Sequence, residues 1–279
     1  MKIIVILFFS MLLALPTYGQ NRETDYLSHV LEKMNAVESV TYHCVKKAWE
    51  PGDKEPVYSV PTEIYEHVNP QDTAVGYSFL CASDKEFRQP LWVYDGTVFA
   101  YIEKEEKEVR IDDFTQKSPL PFRVIMPQAF GCMKSILEYV LNTQDSIVLS
   151  LKDEGKDYLM ELSIHTPYQV EFFGKACYMP QNPYIYDPTS IYKIWISKEN
   201  DMPYRYRREM QHSISEGICS DFVYNPSGKG KIVAEDYYPA DYVRRIKGEK
   251  SQKATVDMTG KKAPDWTLTD MKGQQVSLS

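Results

Sequence analysis

Trp92-Val93-Tyr94-Asp95-Gly96-Thr97-Val98-Phe99-Ala100-Tyr101 places two runs of alternating strand-forming residues on either side of an Asp-Gly pair. A type I′ turn needs positive φ at both central positions, which Asp-Gly tolerates, so this stretch predicts a tight antiparallel hairpin. Upstream, the same two-residue period marks strands from Ser39 (Val40, Tyr42 and Cys44 alternating with Thr41, His43 and Val45), over Thr62–His67 and over Ala74–Ala82. Downstream, the charged run Glu103–Glu108 predicts an exposed turn before a strand at Val109-Arg110-Ile111. Further hairpins are expected at Ile147–Leu151 with Tyr158–Ile164, and at Ile191–Ser197 with Tyr204–Met210 and Ile218–Tyr224. Pro167–Pro188 reads as irregular, and Ile232–Val243 as one short strand that then leaves the sheet.

Two stretches change period. Tyr26, Leu27, Val30, Leu31 and Met34 recur at three- and four-residue intervals, giving an amphipathic helix over about Thr24–Val37. Met133, Ile136, Leu137, Val140 and Leu141 give a second, over about Cys132–Leu141. Two helices and some ten strands joined by hairpins, without β-α-β alternation, define an α+β fold with one long antiparallel meander. A sheet of that size must curl, and its concave face needs a cover. The helices are the cover.

Composition narrows the function. The 279 residues carry a net charge of −7 and are 13% aromatic, with 21 Tyr. Nucleic-acid binding through counterion release requires clustered Lys and Arg, which this balance opposes. Lys2, the apolar run Ile3–Leu15 and the small residues Thr17 and Gly19 form a three-part secretory signal with cleavage before Gln20. The run is shorter than a membrane-spanning helix needs, so no transmembrane segment is expected after cleavage. Cys44, Cys81, Cys132, Cys177 and Cys219 are widely spaced, with no Cys-x-x-Cys, and their odd number leaves at least one thiol unpaired within a monomer. The spacing does not give a connectivity.

No catalytic constellation emerges. His29, His43, His67, His165 and His212 are scattered, without the spacing of a metal site, and no Gly-x-Ser-x-Gly elbow or phosphate-binding loop is present. The carboxylate pairs Asp112-Asp113 and Glu235-Asp236 read as strand-end charges. Catalytic, cofactor-binding and metal-ligating residues are each expected to be none, so the chain itself holds no complete active site. An apolar ligand between sheet and helices would meet Trp92, Tyr94, Phe99, Tyr101 and Trp195, residues that core packing alone also accounts for.

Two resemblances add to this. The opening helix with Val37-Glu38-Ser39-Val40-Thr41-Tyr42, then Val93-Tyr94-Asp95-Gly96, Tyr192–Ser197 with Met202-Pro203-Tyr204-Arg205, Phe222-Val223-Tyr224-Asn225 and Asp236-Tyr237-Tyr238-Pro239 resembles the LolA/LolB-like lipoprotein carriers over about Gln20–Ile246. That likeness implies a periplasmic half-barrel. Gly260-Lys261-Lys262-Ala263-Pro264-Asp265-Trp266-Thr267-Leu268-Thr269-Asp270 through Gly273 and on to Val276-Ser277-Leu278-Ser279 resembles the entry to a redoxin domain of the thioredoxin superfamily. It implies a hairpin turning at Asp270–Gly273, in a chain that stops before the family's Trp-Cys-x-x-Cys. The domains are then expected as a signal peptide (1–19), a LolA-like half-barrel (20–250), and a linker with a truncated redoxin start (251–279). The function implied is the non-catalytic N-terminal domain of a periplasmic thioredoxin-like thiol–disulfide oxidoreductase. The alternative is a periplasmic or secreted lipid or lipoprotein carrier, its partner an apolar ligand or a protein client.

Overall fold

The computed structural model describes residues 17–116, 122–125, 128–249 and 267–277. The chain divides into two compact units, residues 1–247 and 248–279. The expected signal peptide falls almost entirely outside the described residues, as do Gly260–Trp266 of the redoxin-like motif.

The first unit is built on one large, curved and unclosed sheet. In chain order its elements are α1 (Thr17–Asn35), β1 (Ser39–Trp49), β2 (Tyr58–Val68), β3 (Tyr77–Ala82), β4 (Pro90–Tyr94), β5 (Val98–Glu103), β6 (Glu108–Asp113), α2 (Ala129–Asn142), β7 (Ile147–Asp153), β8 (Asp157–Ile164), β9 (Val170–Phe172), β10 (Ala176–Tyr178), β11 (Ser190–Ser197), β12 (Met202–Met210), β13 (Ser213–Tyr224) and β14 (Val243–Ile246). Twelve of these strands form the sheet in the order β14-β6-β5-β4-β3-β2-β1-β13-β12-β11-β8-β7, while β9 and β10 pair as a separate ribbon. The meander β1–β6 and the meander β7–β13 meet where β13 returns antiparallel beside β1.

The period-two signal delivers what it implies. On the inner face Tyr42, Ile64, Phe79, Tyr94, Met160, Leu162, Tyr192, Ile194 and Tyr206 join Leu27, Val30 and Met34 of α1 and Met133, Ile136 and Leu137 of α2 in one core. On the outer face of the first meander, Tyr65, Leu80, Val93, Ala100, Val109 and Ile111 pack against Ile232 and Ala234 of a segment crossing behind the sheet.

Four expectations need correction. The Asp-Gly hairpin has only Gly96 in the left-handed region, at φ +99°, so it is not a type I′ turn. Asp95 keeps ordinary φ because its carboxylate accepts from Thr97 N, Thr97 Oγ1 and Val98 N, at 2.7–3.0 Å. Residue 96 must be Gly twice over, since a Cβ would also stand 2.5 Å from Asn69 Nδ2. Second, Ile232–Val243 contributes a short 3₁₀ turn, Ala234–Tyr237, and only its last residue enters a strand. The strand that follows, β14, runs parallel to β6, because the long crossing behind the sheet supplies the connection parallel pairing needs. Third, the irregular Pro167–Pro188 stretch contains the β9–β10 ribbon. Fourth, β2 begins at Tyr58, with Pro61 inside it opposite Val45. The Val68 N–Glu38 O bond fixes even-numbered β2 residues as those bonding β1. Pro61 therefore turns its missing N–H toward the β3 side, where pairing starts only at Glu63.

The plug is tied to the sheet by Glu66, which is 1% exposed. Its carboxylate accepts from Phe130 N and Gly131 N at the start of α2, both at 3.0 Å, and from the Tyr42 hydroxyl. These are helix N-terminal donors with no partner inside the helix, and the carboxylate also meets the positive end of the helix dipole. Gly131 permits the approach: a Cβ there would stand 2.9 Å from Glu66 Oε2. Burial, opposed by Tyr42 and the two amides, holds this carboxyl above the usual range. A carboxyl raised on folding contributes stability below its unfolded pKa and loses that contribution as pH rises through the folded one. Urea unfolding over about pH 4–8 is expected to show that decline above the ordinary carboxylate range, and Glu66→Gln should remove it. Glu66→Ala, which orphans three buried donors, should cost about 2–4 kcal/mol.

Candidate functional site

Two neighbouring cavities open on the inner face, beside α2 and over β5 and β6. The first, about 300 Å³, is lined by Ala48 and Tyr58 at the strand ends, Cys132 of α2, Phe172 of β9, and Tyr192, Tyr206 and Arg208 of the second meander. The second, about 490 Å³, lies over Phe99, Tyr101, Arg110 and Asp112 of β5 and β6, with Arg245 and Lys247 on its rim. Val124 lines both. Tyr58 (47%), Val60 (40%) and Val124 (55%) are exposed apolar side chains on this side. They stand with the buried inner-face residues because Tyr58 and Val60 keep the two-residue period of Thr62 and Ile64 past the end of the core.

Charge around the cavities is neutralised locally. Arg208 forks onto Glu171 and donates from Nη1 to Ser213 Oγ at 2.9 Å. On the other rim Arg245 pairs with Glu108, Lys247 with Asp112, and Arg110 with Glu103 and Glu108. The resulting surface is apolar in the middle with self-compensated ion pairs at the edge.

Val124 is held by a buried polar anchor. Arg123 Nη1 donates to the Tyr94 hydroxyl and to Gly96 O, each at 2.5 Å, and to Asp72 Oδ1 at 3.2 Å. Tyr94 Oη in turn donates to Asp72 Oδ2 at 2.6 Å. Desolvation first, then the bond to Asp72, raises the Tyr94 hydroxyl far out of reach of physiological pH, so it acts only as a hydrogen-bonding group.

The five aromatic residues expected to line a ligand are placed differently from one another. Phe99 and Tyr101 line the larger cavity. Trp92 is on the same face, with its ring against Tyr101 and the Lys46 ammonium 5.2 Å from its centroid. Tyr94 is fully buried in the Asp72–Arg123 anchor. Trp195 stands on the opposite face, since its neighbours Ile194 and Ile196 are the ones that enter the inner core. There it covers Arg205 at 4.0 Å and donates from Nε1 to Glu154. Sequence reasoning missed Tyr58, Val60 and Val124. The first two were readable as a continuation of the β2 period, but Pro61 argues against a strand there. Val124 had no local signal.

The remaining candidates do not converge. His43 pairs with Glu63, His29 with Asp201, and His67 Nδ1 meets Val68 O, all at separate places. Among the described residues no group of three or more His, Cys, Asp or Glu could hold a metal ion, and no helix is long and apolar enough to cross a membrane. All five cysteines are buried free thiols.

Compared with known proteins, the chain matches no family model and no curated protein. Among solved structures it is similar to the lipoprotein LppX of Mycobacterium tuberculosis, with TM-score 0.39, 8% identity, and 75% of this chain and 97% of that one covered. LprF of Mycobacterium bovis gives TM-score 0.36 and 9% identity over 75% and 98% of the two chains. A LolA superfamily protein of Nitrosomonas europaea gives 0.27 and 10% over 78% and 99%. Likenesses of this size set no correspondence between residues.

The anchor yields a prediction. Arg123→Ala leaves Asp72 and Gly96 O short of a donor and frees Val124, and should lower stability by about 2–3 kcal/mol. In a double-mutant cycle read by urea unfolding, Arg123→Ala and Tyr94→Phe should be coupled by about 1 kcal/mol or more, as members of one network are.

Proposed function

We propose that this chain is a binding protein that holds an apolar or amphipathic ligand, a lipid or an acyl chain, on the concave face of its half-barrel. One observation carries the reading. Beside the region the helices fill, the inner face keeps adjoining cavities of about 300 and 490 Å³, lined by aromatic and aliphatic side chains together with mutually paired charged ones. Volumes of 300–1,000 Å³ with mostly apolar walls and a few placed polar groups are those of small-molecule sites. Exposed apolar residues gathered in one concavity, rather than scattered, mark a surface that gains by being covered. The N-terminal signal pattern supports export, with residues 1–19 as the signal peptide and the periplasm or the exterior as the working compartment.

A second reading, a client-binding or positioning module beside a redoxin domain, has one observation in its favour. Within residues 248–279, β15 (Thr267–Thr269) and β16 (Gln275–Ser277) pair around the turn at Asp270–Gly273, at the spacing the redoxin-like motif implies. Leu268 and Val276 are 60% and 50% exposed, so this hairpin has no core of its own among the described residues.

Binding of cis-parinaric acid, a fluorescent long-chain fatty acid, separates the two. The carrier reading predicts saturable binding that Tyr58→Asp or Tyr101→Asp weakens about ten-fold or more, equivalent to about 1.4 kcal/mol. Trp195→Ala, on the outer face, should leave the affinity unchanged. Absence of saturable binding, or equal sensitivity to Trp195→Ala, would overturn the reading.

A further inference from the structure

We infer that Cys44 and Cys219 form a cross-strand disulfide site at the seam between the two meanders. Cys44 of β1 and Cys219 of β13 are direct register partners. The Val68 N–Glu38 O bond and the unbroken β1–β2 register assign the backbone groups of even-numbered β1 residues, Cys44 among them, to β2. Toward β13, therefore, Cys44 and Cys219 occupy a pair without ladder hydrogen bonds. In such pairs the side chains approach more closely than in the bonded ones, with Cα atoms about 4.5 Å apart. That spacing lies inside the range of about 4.4–6.8 Å that a disulfide bridges.

The chemistry of the pair agrees with its geometry. The neighbouring Cys219 draws the Cys44 thiol below its ordinary range, while burial holds the Cys219 thiol well above. Cys44 is the better nucleophile of the two. No other thiol is a register partner of Cys44. Cys81 stands on β3, with β2 between, about 10 Å from Cys44 by strand spacing, beyond the reach of a bridge. It donates to Gln128 Oε1 instead. Cys132 and Cys177 belong to α2 and β10.

Closure needs an oxidant, and an external disulfide such as glutathione disulfide supplies it. The Cys44 thiolate attacks one sulfur of that disulfide and releases a thiol. The Cys219 sulfur then displaces the second thiol from the mixed disulfide. One S–S bond is broken and one is made. The two protein thiols are oxidised, and their protons end on the two thiols released. Since both sulfurs are buried at 0% and 4% exposure, the exchange belongs to folding or to an opened state of the seam.

The test refolds the full chain from urea in a glutathione redox buffer, then alkylates it under denaturing conditions and maps the peptides. Free thiols should fall from five to three per chain, the five less the two that join, with the Cys44 peptide linked to the Cys219 peptide. The oxidised chain should also unfold at higher urea than the reduced one, because the bridge restricts the unfolded ensemble. Cys44→Ser and Cys219→Ser, as independent variants, should each lose that difference and gain no other link. Five free thiols after refolding with glutathione disulfide, or a link between any other pair, would overturn the assignment.

Discussion

A carboxylate with no access to water must find its hydrogen bonds inside the protein, and Glu66 finds them at the first turn of α2. The acid is carried on β2, braced by Tyr42 from β1, and satisfied by Phe130 N and Gly131 N. Three partners from two elements therefore specify a single docking of helix on sheet. The apolar stripe of α2 makes burial favourable but leaves rotation and translation along the sheet loosely defined, since apolar contacts are non-directional. Removing water from the acid makes any other placement expensive, because the carboxylate and the two amides would each be left unpaired.

The groove is a consequence of that docking. With the start of α2 pinned at Glu66, the helix packs on α1, β9, β10 and β12, and leaves the cavity over β5 and β6 with no helix residue in its lining. The residues on this side are as apolar as those in the core: Tyr58, Val60, Phe99 and Tyr101 continue the same alternation. What separates core from site is the position of the plug. The Asp72–Tyr94–Arg123 anchor then places Val124 between the two cavities, so a second buried polar network shapes the opening that the first one leaves.

Behind the sheet the two halves differ. The outer face of the first meander is apolar and is covered by the chain between β13 and β14, held where Asp95 Oδ2 accepts from Ala234 N. Burial raises the Asp95 carboxyl, but its bonds to Thr97, Val98 and Ala234 outweigh this and keep it ionised. The outer face of the second meander carries Lys152, Glu161, Lys193, Glu209 and Arg207 in an alternating ladder, with Arg205 on Glu216 beside it. One half therefore needs a strap and the other is finished by its own charges, which is why Trp195 is an ornament of the ladder and not part of the groove.

The alternation of Val40, Tyr42 and Cys44, the Asp-Gly pair at 95–96 and the helical stripes at Tyr26–Met34 and Met133–Leu141 were enough to define strands, hairpins, two plugging helices and an α+β meander. Local sequence decides these because backbone pairing and side-chain period act over a few residues. Four of the five aromatic residues expected to face a ligand stand on the inner face for the same reason: parity along adjoining strands is local. Contacts between distant segments had no such signature. The pairing of β13 with β1, the parallel β14, the wall formed by Val124 and the register of Cys44 with Cys219 depend on how elements far apart in the chain stack, and each is fixed by the geometry of the assembled sheet. Which apolar residues became core and which became groove was decided by one helix end seeking a buried acid, a choice available only once the tertiary structure had formed.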